Sequence, residues 1–223
     1  MQLNIFDIMG PVMVGPSSSH TAGAVRIGLI TRRLLGEQPR RARLLLHGSF
    51  AATGAGHGTD RALVAGLLGM EPDDPRIPRS LELAREAGLE LTLGKTQLRG
   101  AHPNTVLLQV SAGEQSMEVV ASSLGGGRVK VCSIDGLEAS FSGEMPTLIV
   151  RHRDRPGQVA EAAGLLSEQG VNIAAMQLYR DMRGGLAVMV IESDQPIPPQ
   201  VVETLRQSPH VVRVTCLNVE GGQ

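Results

Sequence analysis

Residues 147–157 read Thr147-Leu148-Ile149-Val150-Arg151-His152-Arg153-Asp154-Arg155-Pro156-Gly157, a short β-type run and then a polar turn closing on glycine. The turn opens a helix in which Val159, Ala162, Ala163 and Leu166 are spaced for one apolar face. Gly170 stands where a C′ glycine ends a helix. Residues 171–179 and 186–192 read as strands joined across Arg183-Gly184-Gly185. Pro198 and Pro199 begin a second helix over 200–207, and 211–219 makes a last strand. This β-α-β-β-α-β order is that of the ferredoxin-like split βαβ unit. His152 and His210 read as surface residues at strand ends.

Working back from that unit, Phe141-Ser142-Gly143-Glu144-Met145-Pro146 separates it from a differently organised first part, rich in glycine. Residues 43–47 form a strand candidate, 60–68 a helix with Thr59 as its N-cap, and 79–86 a second short helix. Residues 89–93, 105–110, 118–122, 128–133 and 137–142 read as strands. Gly125-Gly126-Gly127 breaks the pattern with a turn that side chains would disfavour. The expectation is a two-domain α+β protein, 1–143 and 147–223.

The first part opens on Gly15-Pro16-Ser17-Ser18-Ser19-His20-Thr21, ahead of a helical run over 22–35. A helix entry offers free N–H groups and the positive end of the macrodipole, which suits a carboxylate or phosphate. An N-cap would explain a single Ser or Thr. It does not call for five consecutive polar residues behind Gly-Pro, so the stretch reads as an anion-binding loop.

Three histidines sit in loops of small or polar residues. These are His20, His57 in Gly54-Ala55-Gly56-His57-Gly58-Thr59-Asp60 before a helix, and His102 in Ala101-His102-Pro103-Asn104 before a strand. Glycine loops are ordinary punctuation, so His57 alone reads equally as a turn residue. Three such loops in one domain favour a small-ligand site. His47 ends an apolar strand.

Composition excludes several classes. A formal charge of −1, 2% aromatic residues and no Trp give neither a basic field nor a stacking surface for nucleic acid. With 42% hydrophobic residues the chain can still bury a core. No run approaches a membrane span, and Met1-Gln2-Leu3-Asn4-Ile5-Phe6 lacks a signal peptide's basic start. Cys132 and Cys216 follow no metal-ligand spacing, and a reduced cytosolic protein is expected. Dinucleotide-loop, P-loop and Gly-x-Ser-x-Gly spacings are missing. Neither Lys95 nor Lys130 lies in a Gly/Ser-rich loop suited to pyridoxal phosphate.

Phe6-Asp7-Ile8-Met9-Gly10-Pro11, the 15–21 stretch, Gly48-Ser49-Phe50, the 54–60 stretch, the 101–104 stretch and Ser123-Leu124-Gly125-Gly126-Gly127 together resemble the β subunit of iron–sulfur-dependent L-serine dehydratase. The second part resembles an ACT domain, a small-ligand sensing module, with Asp154–Gly157 and Gly170-Val171-Asn172-Ile173 in the expected places. The first domain is also similar to the allosteric substrate-binding domain of some phosphoglycerate dehydrogenases, a fold that need not be catalytic.

The resemblance implies conversion of L-serine to pyruvate and ammonia, with a [4Fe–4S] cluster whose open iron eases loss of the hydroxyl. An open cubane still needs three thiolates, so two cysteines place the cluster on a separate α subunit. It further implies that Ser17, Ser18, Ser19 and Thr21 hold the substrate carboxylate beside His20. His57 is then the proton-transfer group, with Thr59 and Asp60 fixing its loop and with His102 and Asn104 lining the pocket. Asp60 reads equally as an N-terminal helix charge. In the ACT domain, Asp154, Gly157 and Asn172 are the candidate contacts for an amino-acid effector, L-serine first. The alternatives there are a helix cap for Asp154 and a turn residue for Asn172. The exposed edge of its sheet invites self-association. A non-catalytic amino-acid sensor is the rival reading of the whole chain.

Overall fold

The computed structural model describes residues Met13–Asn218, so the 6–11 motif and Val219 of the expected final strand lie outside them. Two compact α+β units meet in the chain at Lys130 and Val131.

In the first unit Ser17 has extended backbone and caps a π-helical turn, Ser18–Ala22; its hydroxyl accepts the His20 N–H at 3.2 Å. That turn runs directly into α1 (Gly23–Leu35). Then follow β1 (Arg41–Leu46), α2 (Gly48–His57) and α3 (Thr59–Leu67). After a 3-10 turn, Ile77–Arg79, come α4 (Ser80–Glu86), β2 (Glu90–Lys95), β3 (Thr105–Ala112) and β4 (Gln115–Gly125). The strands lie in the order β2-β1-β3-β4. β1 runs parallel to β2 and antiparallel to β3, with Leu44 opposite both Leu93 and Leu108. Ala42, Leu44, Leu46, Val106, Leu108, Val119 and Ala121 are buried at alternate positions, as a sheet covered on one face requires.

Helix α1 packs on β4 and on α3. A Cβ on Gly28 would sit 2.3 Å from the Leu63 carbonyl oxygen, and one on Gly66 2.0 Å from that of Val25. The two helix backbones are therefore in direct contact, and no side chain fits between them.

The 54–60 stretch, expected as a glycine loop, is instead the end of α2 and the start of α3. Glycines disfavour a helix by up to about 1 kcal/mol each, and here tertiary anchors outweigh that cost. Phe50 is fully buried, and the Ser49 N–H donates to the Pro103 carbonyl at 2.8 Å. The chain turns only at Gly58, whose φ of 69° lies in the left-handed region. Thr59 is consequently not the N-cap of α3; Gly58 is. Thr59 is fully buried, and among the described residues its Oγ1 has no hydrogen-bond partner, so it does not cap the helix.

β5 (Arg128–Ile134) crosses from the first unit into the second, after a turn in which Gly125, Gly126 and Gly127 all have positive φ, as expected. It pairs with β6 (Leu137–Phe141), which lies against β8 and β9. The rest of the second unit is β7 (Thr147–Arg153), α5 (Gln158–Glu168), β8 (Ile173–Arg180), β9 (Leu186–Ser193), α6 (Pro199–Arg206) and β10 (Val211–Leu217). These strands form an antiparallel sheet, β10-β7-β9-β8, and the expected βαββαβ order holds. Leu148, Val150, Ala162, Leu166, Met189, Ile191, Val201 and Leu205 form its core. Gly170 and Val171 return their N–H groups to the carbonyls of Ser167 and Leu166, closing α5 as a Schellman motif.

Two expectations fail in this unit. The buried stripe of α5 is Gln158, Ala162 and Leu166, four residues apart, so Val159 turns away and is 39% exposed. His152 is not at the surface. It shares the face of Leu148 and Val150 at strand period two, is 1% exposed, and meets the Arg153 carbonyl through Nδ1 at 2.8 Å. His210 is exposed, as expected.

Candidate active site

The π-helical turn and α2 bring two histidines together. His20 is 9% exposed, and its ring lies 4.9 Å from that of His57, centroid to centroid, at an inclination of 44°. Phe50 closes the other side with an edge contact at 5.2 Å. Four hydroxyls surround the His20 ring: those of Ser17 and Ser19 each lie 3.4 Å from Nδ1, while Ser49 and Thr53 lie 3.3 and 3.1 Å from Nε2.

Their polarity follows from counting protons. The Thr53 hydroxyl donates to the Ser49 carbonyl at 2.9 Å, so toward His20 it has only lone pairs to offer. The proton of neutral His20 therefore sits on Nε2, and Nδ1 accepts from the serine turn. Burial holds the His20 pKa below its ordinary value, the neighbouring His57 adds to this, and the backbone of Ser49 opposes it. His57 is exposed; its Nδ1 lies 3.2 Å from the Thr53 carbonyl, one helical turn back. A carbonyl only accepts, so the His57 proton is on Nδ1 and the Nε2 lone pair is left for chemistry.

Of the other expected residues, Ser18 begins the π-helical turn and is half-buried, with its carbonyl accepting the Gly23 N–H. Thr21 is buried behind it, and a Cβ on Gly15 would lie 2.5 Å from Thr21 Oγ1. The loop carrying His102 and Asn104 reaches the site through its backbone. Pro103 receives the Ser49 N–H and Asn104 receives that of Ser123, while Ser123 is packed against Gly23 at the start of α1. The His102 side chain is exposed and accepts the Asn104 N–H at 3.1 Å. Asp60 lies in the first turn of α3 and accepts its neighbour's N–H, that of Arg61, at 2.8 Å, which is the helix-terminal alternative. Among the described residues, Thr21 Oγ1, Thr59 Oγ1, Ser123 Oγ and Asn104 Oδ1 of this unit are buried without a hydrogen bond.

Sequence reasoning missed the roles of Ser49 and Thr53. The signal was there: Ser49, Thr53 and His57 are spaced by four, one face of a helix. Reading the segment as a loop concealed it.

The donors do not fit an iron–sulfur cluster. Among the described residues no group of three or more His, Cys, Asp or Glu side chains converges. Cys132 and Cys216 lie on β5 and β10, and burial pushes the Cys216 thiol up to about 11, away from the thiolate a cluster needs.

In the second unit, the Asp154 carboxylate receives the Gly184 N–H and the Arg180 guanidinium, each at 3.0 Å, and these hold its pKa below the ordinary value. Asp154 therefore does not cap α5; Gly157, with φ 96°, precedes that helix. Asn172 is exposed and gives its side-chain N–H to Asp194 and its backbone N–H to Gln195.

A mixed first unit with a histidine–hydroxyl site, joined to a βαββαβ module, is a two-unit α+β arrangement. Comparison with known proteins narrows this. The model of the serine dehydratase beta chain matches residues 4–87 and that of the ACT domain residues 146–210. The chain is 39% identical to the probable L-serine dehydratase, beta chain, of Bacillus subtilis, over 95% of this chain and 96% of that protein. It is 40% identical to the L-serine dehydratase, beta chain, of Peptoniphilus asaccharolyticus, over 86% and 87%. A D-3-phosphoglycerate dehydrogenase of Methanocaldococcus jannaschii is 29% identical over 52% of this chain and 22% of that one. The chain belongs to the family of L-serine dehydratase beta chains. Among the described residues no helix is long and apolar enough to cross a membrane.

Proposed function

We propose that this chain is the β subunit of an L-serine dehydratase, deaminating L-serine to pyruvate and ammonia with an α subunit that carries a [4Fe–4S] cluster. The observation that carries this reading is the His20–His57 pair, 4.9 Å apart, with hydroxyls on both ring nitrogens of His20. Bound on the α subunit, the cluster supplies a Lewis acid at the departing hydroxyl.

The remaining work falls to this chain. Ser17, Ser18, Ser19 and Thr21 at the entry to α1 hold the carboxylate, where hydroxyl and N–H donors and the helix dipole act together. His57 Nε2 accepts the Cα proton. His20 stays neutral beside it, so the charge that His57 acquires meets no second imidazolium. The 102–104 loop completes the wall, and a polar ligand there would restore hydrogen bonds to the unbonded buried groups of Thr21, Ser123 and Asn104. Asp60 fixes the start of α3, the helix that follows His57, through the Arg61 N–H, and Thr59 does so by packing as its buried first residue. We further assign 1–143 to the family's β domain and 147–223 to an ACT domain that binds L-serine near Asp154, Gly157 and Asn172 and self-associates. The assembled enzyme works in the cytoplasm.

The test is anaerobic co-expression with a cysteine-rich α chain, followed by a pyruvate assay. Serine-dependent pyruvate from the pair and none from this chain alone is the expected result. A stoichiometric cluster on this chain by itself would sink the division of labour.

A further inference from the structure

The far side of α2 borders a cavity, of about 920 Å³, that the dehydratase reading leaves unused. Ala51 and Ala52 of α2 form one wall, and the segment from Lys95 to Arg99, at the end of β2, forms another. His47 lies at the junction. The Leu98 N–H donates to His47 Nδ1 at 3.1 Å, so neutral His47 carries its proton on Nε2 and is a donor there. Lys95 and Arg99 add two cations, and among the described residues no carboxylate lines the cavity. Its charged and titratable groups thus offer donors only, and its volume is that of a small-molecule site.

We propose that this cavity binds a small anionic metabolite through carboxylate or phosphate oxygens held by Lys95, Arg99 and His47. A second effect follows from the helix that forms its wall. Ala51 and Ala52 are two turns or less from His57 on α2, so an occupant that shifts or stiffens α2 is felt at the His57 ring. Binding stands on the cavity alone; the coupling to His57 rests on the dehydratase reading.

The experiment is calorimetry on the full chain, titrated separately with citrate and with inorganic phosphate, followed by the imidazole NMR signals of His57. Binding of either anion is expected, and the stronger one identifies the oxygen chemistry. Lys95→Ala and Arg99→Ala should each weaken it about ten- to hundredfold, as loss of a charged hydrogen-bond donor does. Unchanged thermal unfolding shows that the variants fold. Ser18→Ala should leave the affinity unchanged, which separates this cavity from the serine turn. Binding of neither anion, or affinity indifferent to Lys95 and Arg99, overturns the proposal. So does loss of binding on adding the α chain, because the cavity is then a subunit contact. His57 signals that stay fixed at saturation overturn the coupling, and these readouts do not depend on turnover.

Discussion

Thr53 Oγ1 lies 3.1 Å from His20 Nε2, and the carbonyl of the same residue lies 3.2 Å from His57 Nδ1. One residue thus sets the tautomers of both imidazoles, its side chain serving one and its backbone the other. Helix periodicity makes this possible, since His57 reaches back one turn to an acceptor that α2 cannot avoid presenting. The result is a buried ring that meets Thr53 through Nε2 beside an exposed ring whose Nε2 is left without the bond that its Nδ1 makes.

Replacing His57 by Ala in the assembled enzyme removes the proposed base. The expected loss in kcat is about 10²–10⁴-fold, the range for a positioned acid–base group. Steady-state pyruvate formation checks it, and near-normal turnover would exclude the role. Ser18→Ala should act mainly on KM if that hydroxyl binds the carboxylate equally in ground and transition states.

Thr53→Val separates the two functions of Thr53. It removes the hydroxyl that meets His20 and keeps the carbonyl that meets His57. A neutral hydrogen bond is worth about 0.5–1.5 kcal/mol, so activity should fall no more than about tenfold, far less than in His57→Ala. A loss as large as that of His57→Ala would show that the His20 tautomer, not the His57 base, limits the reaction.

The lowered pKa of His20 has a definite sign in stability. A histidine harder to protonate in the folded state leaves the unfolded chain binding more protons, so stability rises with pH through that interval. Seen from above, stability falls as pH drops below the ordinary value of 6.5 and levels off below the lower folded-state pKa. Thermal unfolding between about pH 5 and 8 should show that slope, and His20→Asn should flatten it. An equal slope in the variant would assign the effect to another group.

Gly66→Ala inserts a methyl where the Val25 carbonyl oxygen would lie 2.0 Å away. Overpacking of this kind costs about 1–3 kcal/mol, which lowers Tm by several degrees. Gly56→Ala serves as the contrast, because a Cβ there meets nothing within 4 Å and Gly56 sits inside α2 without a positive φ. It should hold or raise Tm.

The ACT half was legible because its signals are local. Gly170 ends α5 and Pro199 opens α6 with no help from distant residues. The 48–58 segment was not, because its helix depends on partners far along the chain: the Pro103 carbonyl for Ser49, and the apolar surroundings that bury Phe50. Local composition, with Gly54, Gly56 and Gly58 around His57, argued for a loop and was overruled. The site was legible as a set of residue types, His20 and His57 among them, while its contacts through Ser49 and Thr53 followed only from the helix. His152 was misread because a histidine near a strand end suggests exposure, whereas strand period two carries it into the core.

Strand β8 ends the sheet order β10-β7-β9-β8. Among the described residues no strand pairs with its other side, and Leu178 on β8 is 46% exposed. An uncovered edge with an apolar side chain is a template for pairing with a second copy. The full chain should therefore sediment as a dimer or larger. Leu178→Lys places a charge on that strand, the device by which natural edges avoid pairing, and should shift the mass to that of a monomer with the fold intact by circular dichroism. If L-serine binds in this module near Asp154 and Asn172, saturating serine should tighten the association, and dimerisation should tighten serine binding by the same factor. Sedimentation with and without serine tests both directions. A monomeric wild-type chain, or a Leu178→Lys chain that remains fully associated, would remove β8 as the pairing surface.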